Sequence, residues 1–382
     1  MNILIMSAST GGGHKRAAAA LEEKIKSISP DATVNVVDGL KAIGKVYDKT
    51  VCKGYYILAT KTPKMYGKFY EITDKKNVAY KAVMKSNSMM SRRLLETIQQ
   101  YDPDVLIMCH AFISAMVSKL KKQGKLNIKV ISLITDYDSH RTYISPNIDA
   151  YVLAEPHMSK KLCEEYGVDE SKIYPLGIPT FDKFTKPSAK LDICQREGLN
   201  PDKTTVLLMA GSFGVTGVLS FYENLAKSNN DLQFIVITGK NEKLYEKFQE
   251  HIKKLGTEEN TKLLFFVNNV EDYMHVSDLI VTKPGGLTVT ESLACGLPMA
   301  IYNAFPGQES DNEKFLVSQN AAIMVDKKNG AEQILQLLSS KEKLAQMKET
   351  CKRLAHPTAA EDMYKLAMML SGKNNDSEDN NR

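Results

Sequence analysis

A glycine turn in the last third of the chain carries groups that suit an anion. Residues 283–298 read KPGGLTVTESLACGLP, and the mainly apolar residues 278–281 just before them are typical of a buried strand. A helix is predicted over residues 288–295. Backbone N–H groups in a turn without side chains can face a phosphate, and the dipole of the following helix adds partial positive charge. The pattern predicts an anion site at Gly285 and Gly286.

Two carboxylates and an amide follow this turn at short spacing. Glu291 falls one turn inside the predicted helix, where its carboxylate can accept hydrogen bonds from a ribose diol. Gln308 and Glu309 lie in PGQESDN, residues 306–312, and suit the hydroxyl groups of a sugar. Each residue alone is more often a solvated side chain or part of a tight turn. Groups for a diphosphate, a ribose and a hexose in this order together indicate a nucleotide-sugar site.

A second candidate group lies near the N-terminus, after a strand predicted at residues 3–7. Gly11, Gly12 and Gly13 lead from that strand into a helix, and His14 follows at once. A histidine can take a proton near neutral pH because its reference pKa is about 6.5. Clefts of open α/β sheets form at the carboxyl ends of strands. The loop is therefore a candidate floor for an acceptor substrate with His14 as a general base, although a lone histidine here is more often a polar helix-start group.

The same loop raises the alternative of a dinucleotide site. Gly11 and Gly13 match the first two glycines of G-x-G-x-x-G, and Asp38 closes the second predicted strand where a ribose-binding acid would lie. Arg16 occupies the third glycine position, however, and its side chain is incompatible with the close packing of helix on strand that this fingerprint requires. The sequence therefore disfavours NAD binding.

A carboxylate offers a second candidate base. Asp136 follows the apolar strand predicted at residues 129–134, with His140 and Tyr143 close behind it. Asp136 can orient His14 or take the proton itself, and the simpler alternative is that it caps a turn. The sequence leaves open which of the two is the base.

Strands alternate with helices from end to end, which predicts parallel sheets with helices on both faces. The first alternation predicts strands at 3–7, 33–37, 105–108, 129–134 and 150–153, and helices at 15–28, 91–100 and 113–123. The second predicts strands at 206–209, 233–238, 262–267, 279–282 and 298–301.

Composition points to a globular protein of the cytoplasm. The chain has 382 residues, of which 43% are hydrophobic, and no run approaches the roughly 20 apolar residues of a membrane-spanning helix. The first nine residues, MNILIMSAS, lack the basic flank of a signal peptide. The six cysteines form no C-x-x-C pair and are typical of reduced thiols.

One segment is strongly basic and rich in aromatic residues. Residues 41–93 hold thirteen Lys or Arg against three acids, a net charge of +10, so the rest of the chain carries −5 of the total of +5. Basic and aromatic side chains together suit an anionic membrane surface. A solvated basic face and RNA binding are the alternatives, and the absence of a recognisable RNA-binding motif disfavours nucleic acid. The predicted membrane residues are Lys53, Tyr55, Tyr56, Tyr66, Phe69 and Tyr70.

Seven motifs, in order, resemble the monogalactosyldiacylglycerol synthase and processive diacylglycerol β-glucosyltransferase family. They are GGGH, LITDYDSHRTYI, LGIP, MAGSFG, ITGKN, KPGGLTVTE and PGQE. More distant similarity is to the transferase that adds N-acetylglucosamine to the peptidoglycan lipid precursor. The resemblance covers nearly the whole chain and implies the GT-B fold, in which two Rossmann-like α/β domains with parallel sheets face each other across a cleft.

The resemblance also implies how the chain divides. It implies an acceptor and membrane-binding domain at 1–180, a linker at 181–200 and a UDP-sugar domain at 201–355. A helix at 356–371 then returns to the first domain, and the polar tail 372–382 is expected to be disordered.

The implied activity is an inverting transfer of hexose from UDP-glucose or UDP-galactose to diacylglycerol at the inner face of the cell membrane. No tightly bound cofactor or metal is expected, in agreement with the lack of a D-x-D pattern in the donor region. His14 would lie at the acceptor hydroxyl, and members often carry Trp where Tyr143 stands. The implied donor-binding residues are Gly211, Ser212, Phe213, Val267, Gly285, Gly286, Leu287, Thr288, Glu291, Gln308 and Glu309.

Three alternatives remain at the level of sequence. A UDP-N-acetylglucosamine 2-epimerase shares the two-domain fold and the UDP site but needs no membrane. Transfer to another lipid or to a soluble acceptor is a second alternative. A membrane-surface protein that senses UDP-sugar without catalysis is the third.

Overall fold

The computed structural model describes residues 1–8, 12–44, 48–49, 53–54, 62–186, 188–210, 217–228, 231–326 and 328–373. The chain forms two compact units. Unit 1 comprises Met1–Phe181, Phe305–Gln308 and His356–Arg382, and unit 2 comprises Asp182–Ala304 and Glu309–Ala355. Each unit has its own six-stranded parallel sheet, which confirms the predicted α/β class.

The sheet of unit 1 has the strand order β2-β1-β3-β4-β5-β6. Its central strands are fully buried, as expected for runs of branched apolar residues with helices on both faces. Because all the strands are parallel, the segments that follow β1, β3 and β4 emerge at the same edge of the sheet. The strands are β1 (Asn2–Ser7), β2 (Thr33–Asp38), β3 (Val105–Met108), β4 (Lys129–Leu133), β5 (Ala150–Val152) and β6 (Ile173–Tyr174).

Helix α1 of unit 1 buries an apolar stripe. In α1, Ala17, Leu21 and Ile25 recur every four residues and are buried. The helices are α1 (Gly13–Ile28), α2 (Gly39–Ile43), α3 (Pro63–Asp74), α4 (Val78–Ser88), α5 (Ser91–Tyr101), α6 (Ala111–Lys122) and α7 (Met158–Glu164).

The sheet of unit 2 has the strand order β12-β11-β10-β7-β8-β9. Strands β10 and β11 are direct neighbours, so the segments that follow them start side by side. The strands are β7 (Thr205–Met209), β8 (Gln233–Ile237), β9 (Thr261–Leu264), β10 (Leu279–Thr282), β11 (Met299–Ile301) and β12 (Ala322–Met324).

The core of unit 2 lies between this sheet and its helices. Tyr222, Phe234 and Phe248 are buried there. The ring centroid of Tyr222 lies 5.2 Å from that of Phe234 and 5.4 Å from that of Phe248. The helices are α8 (Lys190–Glu197), α9 (Gly217–Ser228), α10 (Glu242–Leu255), α11 (Val270–Val276), α12 (Gly286–Ala294), α13 (Gln308–Ser318), α14 (Gly330–Ser339) and α15 (Lys341–Arg353).

The last helix, α16 (Ala359–Ser371), packs on α1 in unit 1 and buries Met363 and Ala367. The segment that enters it is fixed at Gly177, whose φ is +90° and which has no room for a Cβ because that atom would lie 2.3 Å from His356. His356 Nε2 also lies 3.3 Å from Glu155 Oε1.

Several predicted boundaries differ from the structure, among them three in unit 2. The strand predicted at 262–267 ends at Leu264, because its neighbour β8 ends at Ile237, the residue opposite Leu264, and the hydrogen-bond ladder stops there. The strand predicted from residue 298 begins at Met299, since Pro298 has no N–H to donate. The helix predicted from residue 288 begins two residues earlier, at Gly286.

Candidate functional site

The glycine turn of unit 2 exposes the start of α12. Gly285 is the N-cap residue with extended backbone (φ −68°, ψ 135°), and its lack of a side chain leaves the helix without a side-chain cap. The first helical bond runs from Val289 N to Gly285 O at 2.9 Å. The N–H groups of Gly286, Leu287 and Thr288 precede that bond and have no partner within the helix. This end of α12 can therefore receive an anion.

Asn312 of α13 stabilises the glycine turn through a hydrogen bond. Its side chain is fully buried, and Nδ2 donates a hydrogen bond of 2.9 Å to the carbonyl of Pro284. This bond connects the motif at 306–312 with the glycine turn, which precedes it by more than twenty residues. Asn312 was not among the site residues predicted from the sequence, although its place at the end of that motif was a signal.

Lys283 and Glu309 form an ion pair next to the turn. Lys283 is only 6% exposed at the carboxyl end of β10, and its Nζ lies 3.8 Å from Glu309 Oε2. Burial lowers the pKa of Lys283 to about 8, and the charge of Glu309 acts in the opposite direction. The ammonium form still predominates at pH 7, so it holds the Glu309 carboxylate close to the turn.

Glu291 lies inside α12 and is 2% exposed, so it is not the solvated helical glutamate of the simpler interpretation. Burial raises the pKa of the Cys295 thiol, and the charge of Glu291 raises it further. A buried carboxylate needs polar partners.

Two aromatic residues are exposed where β9 ends. Phe266 is 52% exposed, and the Lys240 ammonium lies 4.7 Å from its ring centroid. Val267, which the resemblance assigns to the uracil pocket, follows directly and is half-buried. An exposed aromatic face can stack on a planar base, and the sequence analysis did not single out Phe266. Gly211, Ser212 and Phe213, assigned to the same pocket, lie outside the described residues.

In unit 1, His14 lies at the start of α1, at the sheet edge where β1, β3 and β4 end. The hydroxyl of Thr135, which follows β4, lies 2.9 Å from His14 Nδ1 and also bonds the Tyr143 hydroxyl. His110, which follows β3, packs its ring edge-on at 4.6 Å between centroids. The topology thus brings together side chains from three separate segments.

The surroundings of His14 disfavour its protonation. Burial lowers the pKa of His14 to about 4, and a hydrogen bond with the Cys109 backbone acts in the opposite direction. Burial also lowers the pKa of His110, with a smaller contribution from His14. His14 is therefore neutral at pH 7 and can accept a proton there.

Asp136 is half-buried. Burial is the main cause that raises the pKa of Tyr143, and the negative charge of Asp136 is the second. The hydrogen bond at His14 Nδ1 is made by Thr135, a residue that the sequence analysis did not select. Among the acceptor-loop glycines, Gly12 is the exposed N-cap residue of α1 and Gly13 is its first residue, whereas Gly11 lies outside the described residues.

Gln308 contacts α3, within unit 1. Tyr66 donates a hydrogen bond of 2.6 Å from its hydroxyl to Gln308 Oε1. Gly307, at φ +99°, lies against the rings of Tyr66 and Tyr70, and a Cβ on Gly67 would come within 2.5 Å of Pro306. The segment 305–308 is therefore closely packed on this helix.

The C-terminal end of α3 is fixed by charged groups around Asp74. The Tyr166 hydroxyl and the Arg141 backbone N–H donate to its carboxylate at 2.7 and 2.8 Å, and Lys161 Nζ lies 3.6 Å away. Burial raises the pKa of Asp74, but these hydrogen bonds outweigh it and the pKa is lowered. His140 contributes a hydrogen bond from Nε2 to the Tyr70 carbonyl at 2.9 Å.

These contacts correct part of the membrane prediction. Tyr66 is buried and Tyr70 stacks on His140 at 4.2 Å, so Tyr66 is not a membrane-facing side chain, contrary to the prediction. Phe69 on the same helix is 47% exposed, and Lys53 is exposed as well. Tyr55 and Tyr56 lie outside the described residues.

Two absences among the described residues bear on the site. No helix among them has both the length and the apolar character to cross a bilayer. In the same ranges, no three His, Cys, Asp or Glu side chains come together as the ligands of a metal ion would.

Comparison with known proteins matches both units. Residues 14–180 match the family model described as monogalactosyldiacylglycerol (MGDG) synthase, and residues 205–363 match the glycosyltransferase family 28 C-terminal domain. A processive diacylglycerol beta-glucosyltransferase from Bacillus pumilus (strain SAFR-032) is 30% identical over 97% of this chain and 96% of its own.

Solved structures show the same fold. MurG from Acinetobacter baumannii superposes with a TM-score of 0.65 at 16% identity, over 96% of this chain and 99% of its own. A putative UDP-N-acetylglucosamine 2-epimerase from Listeria monocytogenes gives 0.63 at 14% identity, over 98% and 97%. Both structures share the fold of this chain at 14–16% identity, and the likeness shows the fold alone. The chain belongs to the monogalactosyldiacylglycerol synthase and processive diacylglycerol beta-glucosyltransferase family and is a glycosyltransferase of the GT-B fold.

Proposed function

We propose that the chain transfers a hexose from UDP-glucose or UDP-galactose to the free hydroxyl of diacylglycerol, with inversion at the anomeric carbon. The names of the relatives support this acceptor. The proposed donor site is supported mainly by one observation. The N-terminus of α12 has no side-chain cap, and Asn312 holds the preceding turn through a hydrogen bond. A fixed turn with free N–H groups binds a diphosphate without reorganisation, which is the condition for electrostatic stabilisation.

On the donor side, the N–H groups of Gly286, Leu287 and Thr288 hold the diphosphate. The carboxylate of Glu291 accepts from the ribose, and Gln308 and Glu309 bind the hexose. Uracil lies at the residues after β9, where the half-exposed ring of Phe266 can stack on the base.

On the acceptor side, His14 or Asp136 takes the proton of the acceptor hydroxyl as its oxygen attacks the anomeric carbon. His14 can act at Nε2 when Nδ1 carries the proton and donates it to Thr135, 2.9 Å away. Thr135 then orients the ring. The bond from the anomeric carbon to the diphosphate breaks in the same step, and the charge of the departing UDP is stabilised by the α12 N-terminus.

The reaction as proposed needs no resident cofactor or metal, because helix N–H groups neutralise the leaving group. Turnover should therefore persist after dialysis against EDTA. Loss of turnover that Mg²⁺ or Mn²⁺ restores would contradict this part of the proposal.

We place the enzyme peripherally on the inner face of the cell membrane. Helix α3 exposes Met65, Phe69 and Ile72, and lysines Lys64 and Lys68 next to them are also exposed. An apolar stripe flanked by lysines suits an anionic bilayer surface. In flotation with phosphatidylglycerol vesicles, Phe69→Glu should weaken association. Leu191→Glu, at an exposed leucine of α8, is the matched control.

The test of the activity is a screen of UDP-glucose, UDP-galactose and UDP-N-acetylglucosamine against diacylglycerol and monohexosyl-diacylglycerol, with products identified by mass spectrometry. We expect a hexosyl-diacylglycerol with the β configuration. His14→Ala should lower turnover by about 10² to 10⁴ if His14 is the base, whereas His251→Ala in unit 2 should not. Formation of an epimerised UDP-sugar without glycolipid would overturn the proposal.

A further inference from the structure

A second histidine lies beside His14 at the edge of the unit 1 sheet. Strand β3 pairs with β1, and the N–H of Cys109 continues this ladder with a 2.9 Å hydrogen bond to the Met6 carbonyl. His110 is the next residue, so it emerges beside the segment that leads from β1 into α1. Its ring centroid lies 4.6 Å from that of His14, with 75° between the ring planes. The two imidazoles form an edge-to-face pair.

His110 is held in one protonation state by its place in the chain. It is the N-cap residue of α6, and its Nδ1 accepts a 3.1 Å hydrogen bond from the backbone N–H of Phe112. A proton on Nδ1 would set two N–H groups against each other, so the neutral ring carries its proton on Nε2. Burial lowers the pKa of His110, in agreement with this arrangement. The ring of Phe112 packs against the imidazole at 4.7 Å between centroids.

The hydrogen bond to Thr135 does not by itself fix the plane of the His14 ring. It holds one atom, Nδ1, at 2.9 Å from the Thr135 hydroxyl, and the terminal torsion of a histidine side chain has a broad energy minimum. The ring of His110 restricts this rotation and occupies space that solvent would otherwise fill beside the imidazole. His14 stays half-buried, so part of its ring can still meet a substrate. A base that is oriented in advance needs no reorganisation in the transition state.

We propose that His110 is a positioning residue for the base of the transfer reaction, whose ring fixes the plane of the His14 imidazole and shields one side of it from solvent. The inference rests on the proposed function, in which His14 takes the proton of the acceptor hydroxyl. It adds a residue that acts on the reaction through His14.

Other ionisable groups also lie on the segments around His14. Burial raises the pKa of the Cys109 thiol and of the Tyr143 hydroxyl, so both stay protonated at pH 7. Substitutions at His110 leave these groups in place, and a shift of the acid limb of kcat/KM in such variants therefore reports on His14. Among the described residues the groups are Cys109 after β3, Asp136 and Tyr143 after β4, Lys15 and Arg16 on α1, and Asp38 of β2, which pairs with Lys15 at 3.3 Å.

Two substitutions separate the ring of His110 from its role as N-cap. His110→Asn removes the ring but keeps a side-chain oxygen for the Phe112 N–H, since asparagine is a favoured N-cap residue. His110→Phe keeps a ring and loses the cap. Because the proposed contact is made by the ring, kcat of His110→Asn should fall about two- to tenfold, while the Kd for UDP in calorimetry stays unchanged. His110→Phe should retain most of the wild-type kcat, although the missing cap lowers its thermal stability.

The pH profile gives a readout that lost stability would not move. Without the ring, solvent reaches His14, and its pKa should rise from about 4 toward the value of a free histidine. The acid limb of kcat/KM should therefore lie at higher pH in His110→Asn than in the wild type, and His110→Phe should stay close to the wild type. Equal losses of kcat in the two variants, or an acid limb that does not move in His110→Asn, would overturn the positioning role.

A double-mutant cycle tests whether His110 acts through His14. The residual turnover of His14→Ala should not change when His110→Asn is added, because the group that His110 positions is already gone. A further fall by the same factor as in the wild-type background would refute the connection. If the wild type forms no glycolipid, or His14→Ala keeps full turnover, the proposed function or its base fails. That outcome differs from a turnover that depends on His14 but is equal in wild type and His110→Asn, which refutes the positioning role alone.

Discussion

His14 offers a prediction whose size follows from its surroundings. The pKa is lowered by burial to about 4 in the folded protein from 6.5 in a free histidine. The unfolded chain therefore binds a proton between pH 6.5 and 4 that the folded protein does not, and the free energy of unfolding falls as the pH falls through this window. The full difference of about 2.5 pK units corresponds to about 3 kcal/mol, of which about 2 kcal/mol is lost between pH 7 and pH 5.

The perturbation that isolates this effect is His14→Gln, which cannot be protonated. Urea unfolding at pH 7 and pH 5 gives the loss of stability for each protein. The loss should be smaller in His14→Gln by about 2 kcal/mol, because His110 and the other groups titrate in both proteins.

The low pKa of His14 also determines the pH at which kcat/KM falls on the acid side. If neutral His14 is the base, kcat/KM should stay level from pH 8 to about pH 5 and fall only near pH 4. A limb centred near 6.5, together with equal losses of stability in wild type and His14→Gln, would refute the reasoning that His14 is desolvated.

Three further predictions concern the donor side. Asn312→Ala removes the hydrogen bond to the Pro284 carbonyl, which should cost about 1–3 kcal/mol of binding free energy. The affinity for UDP, measured by calorimetry, should fall about five- to a hundredfold. An unchanged affinity would show that the glycine turn keeps its conformation without this hydrogen bond. Lys283→Met removes the ammonium group that lies 3.8 Å from the Glu309 carboxylate. It should raise the KM for UDP-hexose more than the inhibition constant for the product UDP, and Lys283→Arg, which keeps the positive charge, should raise that KM less. Gly307→Ala forces a Cβ residue to φ +99° against the α3 tyrosines and should lower the midpoint of thermal unfolding by several degrees, about 1–2 kcal/mol; a stability equal to that of the wild type would show that the segment adapts.

Much of the fold could be predicted from the sequence because buried parallel strands are continuous apolar runs. The alternation of strands and helices predicted two parallel sheets, and their central strands lie within one or two residues of the predicted positions. Strand β9 was predicted too long because Phe265 and Phe266 continue its apolar pattern, although the neighbouring strand has already ended.

The candidate site was less accessible to such reasoning. The glycine turn is visible because it is local, and the same is true of the Gly12–His14 loop. The contact of Tyr66 with Gln308 joins residues 242 positions apart, and no local pattern indicates it. An aromatic residue in a basic segment was assigned to a membrane because composition does not tell which face of a helix a side chain occupies. Thr135 was overlooked beside Asp136 because a hydroxyl is chemically less conspicuous than a carboxylate.

The C-terminal helix has a consequence for how the protein is made. Helix α16 packs on α1, so α1 awaits a partner encoded more than 330 residues later. Unit 2 is synthesised in between and is nearly continuous in the chain, so it can complete its core first. During synthesis the N-terminal unit has all six strands of its sheet but lacks the helix that packs on α1, a state prone to aggregation. A nascent chain stalled before residue 356 should therefore require chaperone protection that the finished chain does not.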